Sequence, residues 1–480
     1  MHYDLVLLNP NTAQPAVAPL GLEYVAEAVR LAGGTVGLLD LCFAEDTAAA
    51  ASAYLAEHTA QLVGISVRNS DNCYLLSQHS YVPALSGLVS TLRGVSDAPI
   101  VLGGAGYSVM PRGILRRTGA DYGIVGDGEG PLVQLMQALR GELPLSGIAG
   151  LVRWVNGDIA TEPPAWQPLD CGLRLRRQWV DYERYFRQGG QGNLETKRGC
   201  QGQCVYCADI HSKGRQYRLR PPAAVVDELE TLLSMGIDWL HLCDSEFNLP
   251  PHHAEAVCEE IISRGLGGRV HWYAYLAPQP FSERLARLLK EAGCVGVDFG
   301  LDSGDERMLG NLGRDFTPAQ ALETARICRQ VGMTFMLDLL IGGPGETKKS
   351  AATTIRFAQE CEPSCVGVAL GVRVYPGTKL AQVAAHEGLG AGNPNLRGAT
   401  EGNPDFVAPV FYLSAALGSV EEATAHMTEL VGSDQRFFFG GSQDGDRDYD
   451  YDDNALLVQA IAAGARGAYW DILRRLRMGE

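Results

Sequence analysis

The chain has 480 residues, 46% of them hydrophobic, which is enough for two or three domains with cores of their own. A formal net charge of −16 argues against nucleic acid as a partner, because phosphate binding needs a basic face. No apolar run approaches the ~20 residues of a membrane span, and the opening MHYDLVLLNP has neither the basic nor the apolar region of a leader, so a cytoplasmic protein with no membrane partner is expected.

Residues 1–150 alternate apolar runs with helical stretches. The runs are Leu5–Pro10, Val36–Leu41, Leu62–Val67, Pro99–Gly104 and Tyr122–Asp127; helical patterns such as Leu20–Leu31 and Tyr81–Leu92 lie between them. Each run is continuous rather than alternating, as in parallel strands covered on both faces. The expectation is α/β: a doubly wound, Rossmann-like parallel sheet over 1–150, with a ligand at the glycine-rich strand ends. Residues 151–190 read as a connecting segment. A second series over 191–385 has candidate strands Leu194–Gly199, Trp239–Asp244, Val270–Leu276, Gly296–Asp302, Thr334–Gly342 and Val366–Pro376. Six such units predict a partial (β/α)6, TIM-type barrel with its site at the strand C-termini. Residues 386–480 are expected to form a small, mostly helical C-terminal segment that selects the substrate.

Several features are expected to be structural. The alternating Asp444, Asp446, Asp448, Asp450 and Asp452 fail the calcium-loop pattern, with Ala455 where the closing Glu belongs, so a solvated acidic loop is expected. Phe437–Phe439 and Tyr469-Trp470 read as core, and His241 and His271 as packed strand residues. Tyr273 and Tyr275 face either the barrel mouth or the helices.

Three of the 12 cysteines stand as Cys200-x3-Cys204-x2-Cys207, just after the first strand of the second series. No second CxxC pair follows, as a closed zinc site would want. Three thiolates suit a [4Fe–4S] cluster with one open iron, able to chelate an amino acid moiety.

With Tyr206 before the third cysteine, this segment resembles the CxxxCxΦC motif of the radical S-adenosylmethionine (SAM) superfamily. The resemblance continues along the barrel. Asp244-Ser245-Glu246 looks like the acidic motif that holds the methionine amino group. Gly300–Gly304, with Asp302 and Ser303, resembles the fourth-strand motif near the SAM ribose and carboxylate; Asp302 replaces the commoner Glu. Gly342-Gly343-Pro344-Gly345-Glu346-Thr347 resembles the fifth-strand glycine motif, and Arg373–Thr378 the sixth-strand one. The resemblance implies a metal centre held by Cys200, Cys204 and Cys207, SAM as cosubstrate and an external low-potential electron donor.

The first 150 residues resemble the cobalamin-binding domain found ahead of many such barrels. Ser66, Gly103, Gly104, Gly126 and Glu129 are its expected cobalamin contacts. The segment Asp40–Glu45 contains no His that could ligate cobalt, and Arg68 follows the third apolar run, where the lower cobalt face is expected. A guanidinium stays protonated and cannot ligate. An ordinary surface or ion-pair role is the other reading of Arg68. The resemblance implies a cytoplasmic methyltransferase, monomeric or weakly dimeric. One SAM methylates cob(I)alamin, another is cleaved to a 5′-deoxyadenosyl radical, and a small-molecule or peptide substrate is methylated on an unactivated carbon. A non-methylating rearrangement, cyclisation or oxidation is the alternative. A methylthiotransferase is disfavoured because Cys42 and Cys73 are isolated.

Overall fold

The computed structural model describes residues 1–169, 172–442, 445 and 447–479. Asp444 and Asp446 of the acidic run lie outside the described residues. Among the described residues no helix is long and apolar enough to cross a membrane.

The N-terminal sheet has the order Val36–Asp40, His2–Asn9, Thr59–Ser66, Ile100–Gly103, Tyr122–Ile124, Leu151–Val155, Asp158–Thr161. The first five strands are parallel. The last two run antiparallel, which corrects the reading of a wholly parallel sheet followed by a linker from 151. Trp154, two residues from the hairpin turn, donates its indole N–H to Ala120 O at 3.0 Å and so ties the hairpin to the sheet.

The second sheet has seven parallel strands. In order they are Gly192–Leu194, Trp239–Leu242, His271–Leu276, Cys294–Asp302, Thr334–Ile341, Cys365–Leu370 and Phe437–Phe439. Six were expected. The seventh comes from the C-terminal segment, where three consecutive Phe suit a strand buried on both faces. That segment ends in helices as expected but also carries short strands: Leu396–Gly398 and Val410–Tyr412 form a small antiparallel sheet with Val372–Arg373, which the sequence reading ran on from the sixth strand.

Helices on the outer face are well specified locally. Pro318–Val331 starts with a Thr317–Gln320 capping box and Pro318 in its first turn, and stops at left-handed Gly332. Its Ala325 and Cys328 pack with Phe299, Phe335 and Leu337 in the outer core. Each such fully buried Phe or Leu contributes roughly 2–3 kcal/mol. The inner face is layered. Tyr273, Met336, Cys365 and Phe438 pack with Trp470 and Leu473 of the terminal helix Tyr469–Met478, which plugs the barrel from below. Tyr273 donates to Asp471 at 2.8 Å. Tyr275, two residues on and therefore on the same face, stands one layer higher and lines the cavity above.

His241 and His271 are packed, as expected: His241 lies 4.9 Å from the Tyr275 ring and His271 stacks on Trp239 at 4.5 Å. The described aspartates of the acidic run are held by the protein rather than free in solvent, which corrects the reading of a solvated loop. Asp448 accepts from the backbone N–H groups of Gly441 and Asp450, both at 2.9 Å. Asp450 accepts from Asn72 at 2.7 Å and Tyr81 donates to Asp452, so the run latches onto the loop after the third N-terminal strand.

Candidate active site

The strand ends of the two sheets face each other, and two cavities lie between them. The first, about 200 Å³ and mostly apolar, is walled by Leu7, Leu22, Ile65, Leu102 and the ends of four N-terminal strands. Ser66, Gly103, Gly104, Gly126 and Glu129 all line it, so the expected cobalamin contacts converge. The glycines are needed there. Gly104 has φ +98, and a Cβ on it would stand 2.6 Å from Val67 O. A Cβ on Gly103 would meet no protein atom within 4 Å and would project into open space. A backbone cradle that side chains would fill fits a flat ligand passing between the strand ends. Glu129 is not free for a ligand, however. It accepts from Arg198 at 2.7 Å, and Asp127 accepts from Arg198 at 3.1 Å and from Arg218. The barrel thus closes this cavity through charge-assisted bonds.

The second cavity, about 500 Å³, runs from Arg68 and Gly106 on the N-terminal side to Tyr206, Cys207 and Asp302 on the barrel side, with Asp338, Tyr275, Tyr449 and Tyr451 deeper in. Arg68 is exposed at its rim and, among the described residues, its guanidinium makes no hydrogen bond or ion pair.

The cysteines occupy the loop above the first barrel strand. Gly199 has φ +92, and a Cβ there would stand 1.9 Å from Gln216 O, so only Gly can launch this loop. A Cβ on Gly202 would lie 3.3 Å from Cys200 Sγ and 3.7 Å from Cys204 Sγ, and its N–H donates to Cys200 Sγ at 3.4 Å. Burial pushes all three thiols up, and the Arg314 guanidinium opposes this at Cys204. Among the described residues no three His, Cys, Asp or Glu side chains converge on a point that one metal ion could occupy. Three thiols that do not converge suit the separate corners of an iron–sulfur cube better than a single ion.

Arg314, which the sequence reading missed, organises the mouth. It donates to Cys204 Sγ at 3.1 Å and to Gly300 O at 2.5 Å, and stands 3.5 Å from Asp302 and 3.9 Å from Glu246. Tyr206 donates to Asp302 at 2.6 Å, so the aromatic residue of the cysteine motif fixes the fourth-strand acid. Burial raises the Glu246 carboxyl to about 7, against the pull of Arg314.

Other motif residues are placed differently from the reading. Both Asp244 oxygens are taken by Thr196 and the first accepts from Lys197 N as well, so Asp244 braces the first strand. Ser245 accepts from Lys213 and donates to Asp209. Of that triplet, Glu246 alone has a side chain that makes no hydrogen bond among the described residues. Ser303 is fully buried, bonded to Thr354 at 2.8 Å and capping Asp305 N. A Cβ on Gly342 would stand 2.7 Å from Leu413, and one on Gly343 2.9 Å from Leu312, so these glycines admit packing rather than line the cavity. Arg373 forks onto Asp71 Oδ2 at 2.9 and 3.1 Å and tethers the barrel to the N-terminal domain.

Comparison with known proteins bears on this arrangement. Residues 10–136 match the family model described as B12 binding domain, and residues 194–358 match that of the Radical SAM superfamily. The chain is 30% identical over 454 residues to tryptophan 2-C-methyltransferase of Streptomyces laurentii, covering 80% of this chain and 74% of that protein. It superposes with TM-score 0.91 and 30% identity on the radical S-adenosylmethionine methyltransferase TsrM from Kitasatospora setae with tryptophan substrate and the SAM analogue aza-SAM bound, covering 99% and 98% of the two chains. The same protein with cobalamin and a [4Fe-4S] cluster bound matches with TM-score 0.90 and 28% identity, covering 100% and 98%.

Proposed function

The chain belongs to the cobalamin-dependent radical SAM methyltransferases, and from that membership we propose that it moves a methyl group from SAM to an unactivated carbon of a small aromatic amino acid, tryptophan being the first candidate. The observation that supports this reading is the second cavity: one space bounded by the cysteine loop, by the N-terminal loops and by tyrosine rings. The cluster, SAM and cobalamin, when bound, supply the electron and the methyl group. The chain supplies distance, orientation and exclusion of water.

In this reading Cys200, Cys204 and Cys207 hold the cluster. Arg314 donates to the Cys204 sulfur and keeps Asp302 and Glu246 pointed at the mouth, where they meet SAM. Ser66, Gly103, Gly104 and Gly126 shape the cobalamin cradle. The electron comes from an external low-potential donor, and the protein works as a cytoplasmic monomer or weak dimer without nucleic acid or membrane. The domain limits follow the sheets, with the hairpin to Thr161 assigned to the N-terminal unit.

The test is product mass. Reconstituted protein with methyl-deuterated SAM, cobalamin, a reductant and tryptophan is expected to give a product heavier by one labelled methyl. A product that has only lost hydrogen, or is isomeric with its substrate, would move the protein to a cyclising, oxidising or rearranging reaction.

Arg68 enters this reading as a guanidinium beside the cobalt. It lacks a protein partner, and a cation there disfavours both a lower ligand and added positive charge. Electron paramagnetic resonance of the Co(II) form is expected to show no nitrogen superhyperfine splitting. Arg68→Ala should admit a ligand and change the spectrum, while Arg68→Lys keeps most of the parent signal. Unchanged spectra in both variants return Arg68 to an ordinary surface role.

A further inference from the structure

At the floor of the second cavity, one layer above the plug, two carboxyls stand side by side on adjacent strands: Asp298 and Asp338. Asp298 is 2% exposed. Asp338 borders the cavity itself. The Oδ1 atom of each is buried with no hydrogen-bond partner among the described residues. Among the described residues no Lys or Arg forms an ion pair with either. Other buried acids have hydrogen-bond or ion-pair partners: Glu228 has Arg177 and Arg220, Asp71 has Arg373, Asp244 has Thr196 and Glu346 has Ser350. Two acids left unmatched beneath a cavity are costly unless something from outside completes them.

The walls indicate what that is. Tyr275 stands over Asp298 as its register partner on the next strand. Tyr449 and Tyr451 line the same space with ring centroids 5.8 Å apart, and Tyr74 lies 5.6 Å from Tyr449. Aromatic faces carry partial negative charge and attract cations. The neighbouring strand makes room for the Asp338 carboxyl and the Tyr449 ring. Gly367 is the register partner of Asp338, and a Cβ on it would stand 2.4 Å from Asp338 Oδ1 and 2.9 Å from the Tyr449 ring.

We propose that Asp298 and Asp338, walled by Tyr275, Tyr449 and Tyr451, form a subsite for a single protonated amine of the substrate, a reading that rests on the assignment of this cavity to the substrate. Burial holds both carboxyls above the ordinary carboxylate range; Asp338 further opposes the ionisation of Asp298, while a hydrogen bond from Asp298 favours the ionised form of Asp338. A pair that keeps one proton carries one negative charge, which one ammonium neutralises. A metal ion is a poor fit, since no third ligand converges there among the described residues. With its ammonium at the floor, a flat substrate extends upward between the tyrosines toward the wall formed by Arg68 and Gly106, which puts a ring carbon, not the amine, nearest the N-terminal loops.

The experiment is calorimetric titration of the reconstituted enzyme with three amines, tryptamine, tyramine and phenethylamine, each against the alcohol that replaces its ammonium with hydroxyl. In the parent the amines should bind at least about tenfold more tightly than their alcohols, near 1.4 kcal/mol. In Asp338→Asn and Asp298→Asn that ratio should fall to about one while affinity for the alcohols stays within about twofold. Equal binding of amines and alcohols by the parent overturns the subsite, and that measurement needs no variant to fold. A preference that survives in both variants overturns it as well. Methyl transfer to tryptophan, assayed alongside, reports separately on the proposed reaction: amine preference without tryptophan methylation keeps the subsite and discards tryptophan.

Discussion

Replacing Cys200, Cys204 and Cys207 together by Ala is expected to leave protein that folds but takes up no cluster, with methyl transfer lower by at least about 10²-fold, beyond the loss typical of an outer partner of a metal ligand. The loop carrying them has little regular structure and none of the three thiols is in the hydrophobic core, so folding does not depend on them. Their arrangement does. The positive φ of Gly199 turns the chain, Gly202 leaves room between two of the sulfurs, and Arg314 reaches 110 residues back to donate to the third position's neighbour, Cys204. Arg314→Met should therefore have the smaller, outer-partner effect, about 10–100-fold in cluster retention or activity. Iron and sulfide quantitation after anaerobic reconstitution checks both. Full cluster content in the triple variant would remove these cysteines from the site.

What the sequence made legible was local. The cysteine spacing sits within eight consecutive residues, and the glycines at the N-terminal strand ends, which line the first cavity, follow directly on apolar runs; both were readable without knowing what lies opposite. Arg314, Asp298 and Asp338 were not, because their meaning comes from pairing across strands far apart in sequence. Arg373 was half legible. It lines the second cavity, where its motif suggests a cofactor contact, but it also pairs with Asp71, 302 residues away, and no local pattern announces an ion pair of that reach. The acidic run was half read. Its period of two was noticed for the aspartates, but the same period places Tyr449 and Tyr451 together on the other side, facing the cavity, while Asp450 and Asp452 hold the N-terminal loop. Tyrosines interleaved with acids were the available signal. The seventh strand and the antiparallel hairpin were missed for another reason: each is only three to five residues long, too short for periodicity to separate from a core segment or a linker.

Arg177→Ala is expected to destabilise the joined domains by about 3–5 kcal/mol, because it strands buried carboxylates from two of them. Arg177 lies in the connector with its side chain fully buried. It donates to Tyr182 Oη at 2.8 Å, to Asn193 at 2.8 and 3.0 Å and, through Nε, to Glu228 at 3.0 Å. Tyr182 in turn donates to Glu23, on the helix Leu20–Leu31 of the N-terminal domain, while Asn193 and Glu228 belong to the first barrel strand and helix Pro222–Ser234. One guanidinium therefore joins the connector to both halves. Burial already raises the Glu23 carboxyl in the parent, with Tyr182 and Arg177 pulling it down. Without Arg177 that restraint goes and the folded-state pKa rises further. A raised folded-state pKa means that the native state binds more protons than the unfolded chain, so stability falls as pH rises through that interval. The deficit of Arg177→Ala should accordingly be largest near pH 8 and shrink toward about pH 5, where the abandoned Glu23 carboxyl takes up a proton. Urea unfolding of parent and variant at matched cofactor content, across that range, measures it. Arg177→Lys should recover part of the loss, since it restores the charge without the planar fork. A deficit that does not change with pH would mean that the lost packing of the side chain, not the lost charge, carries the effect.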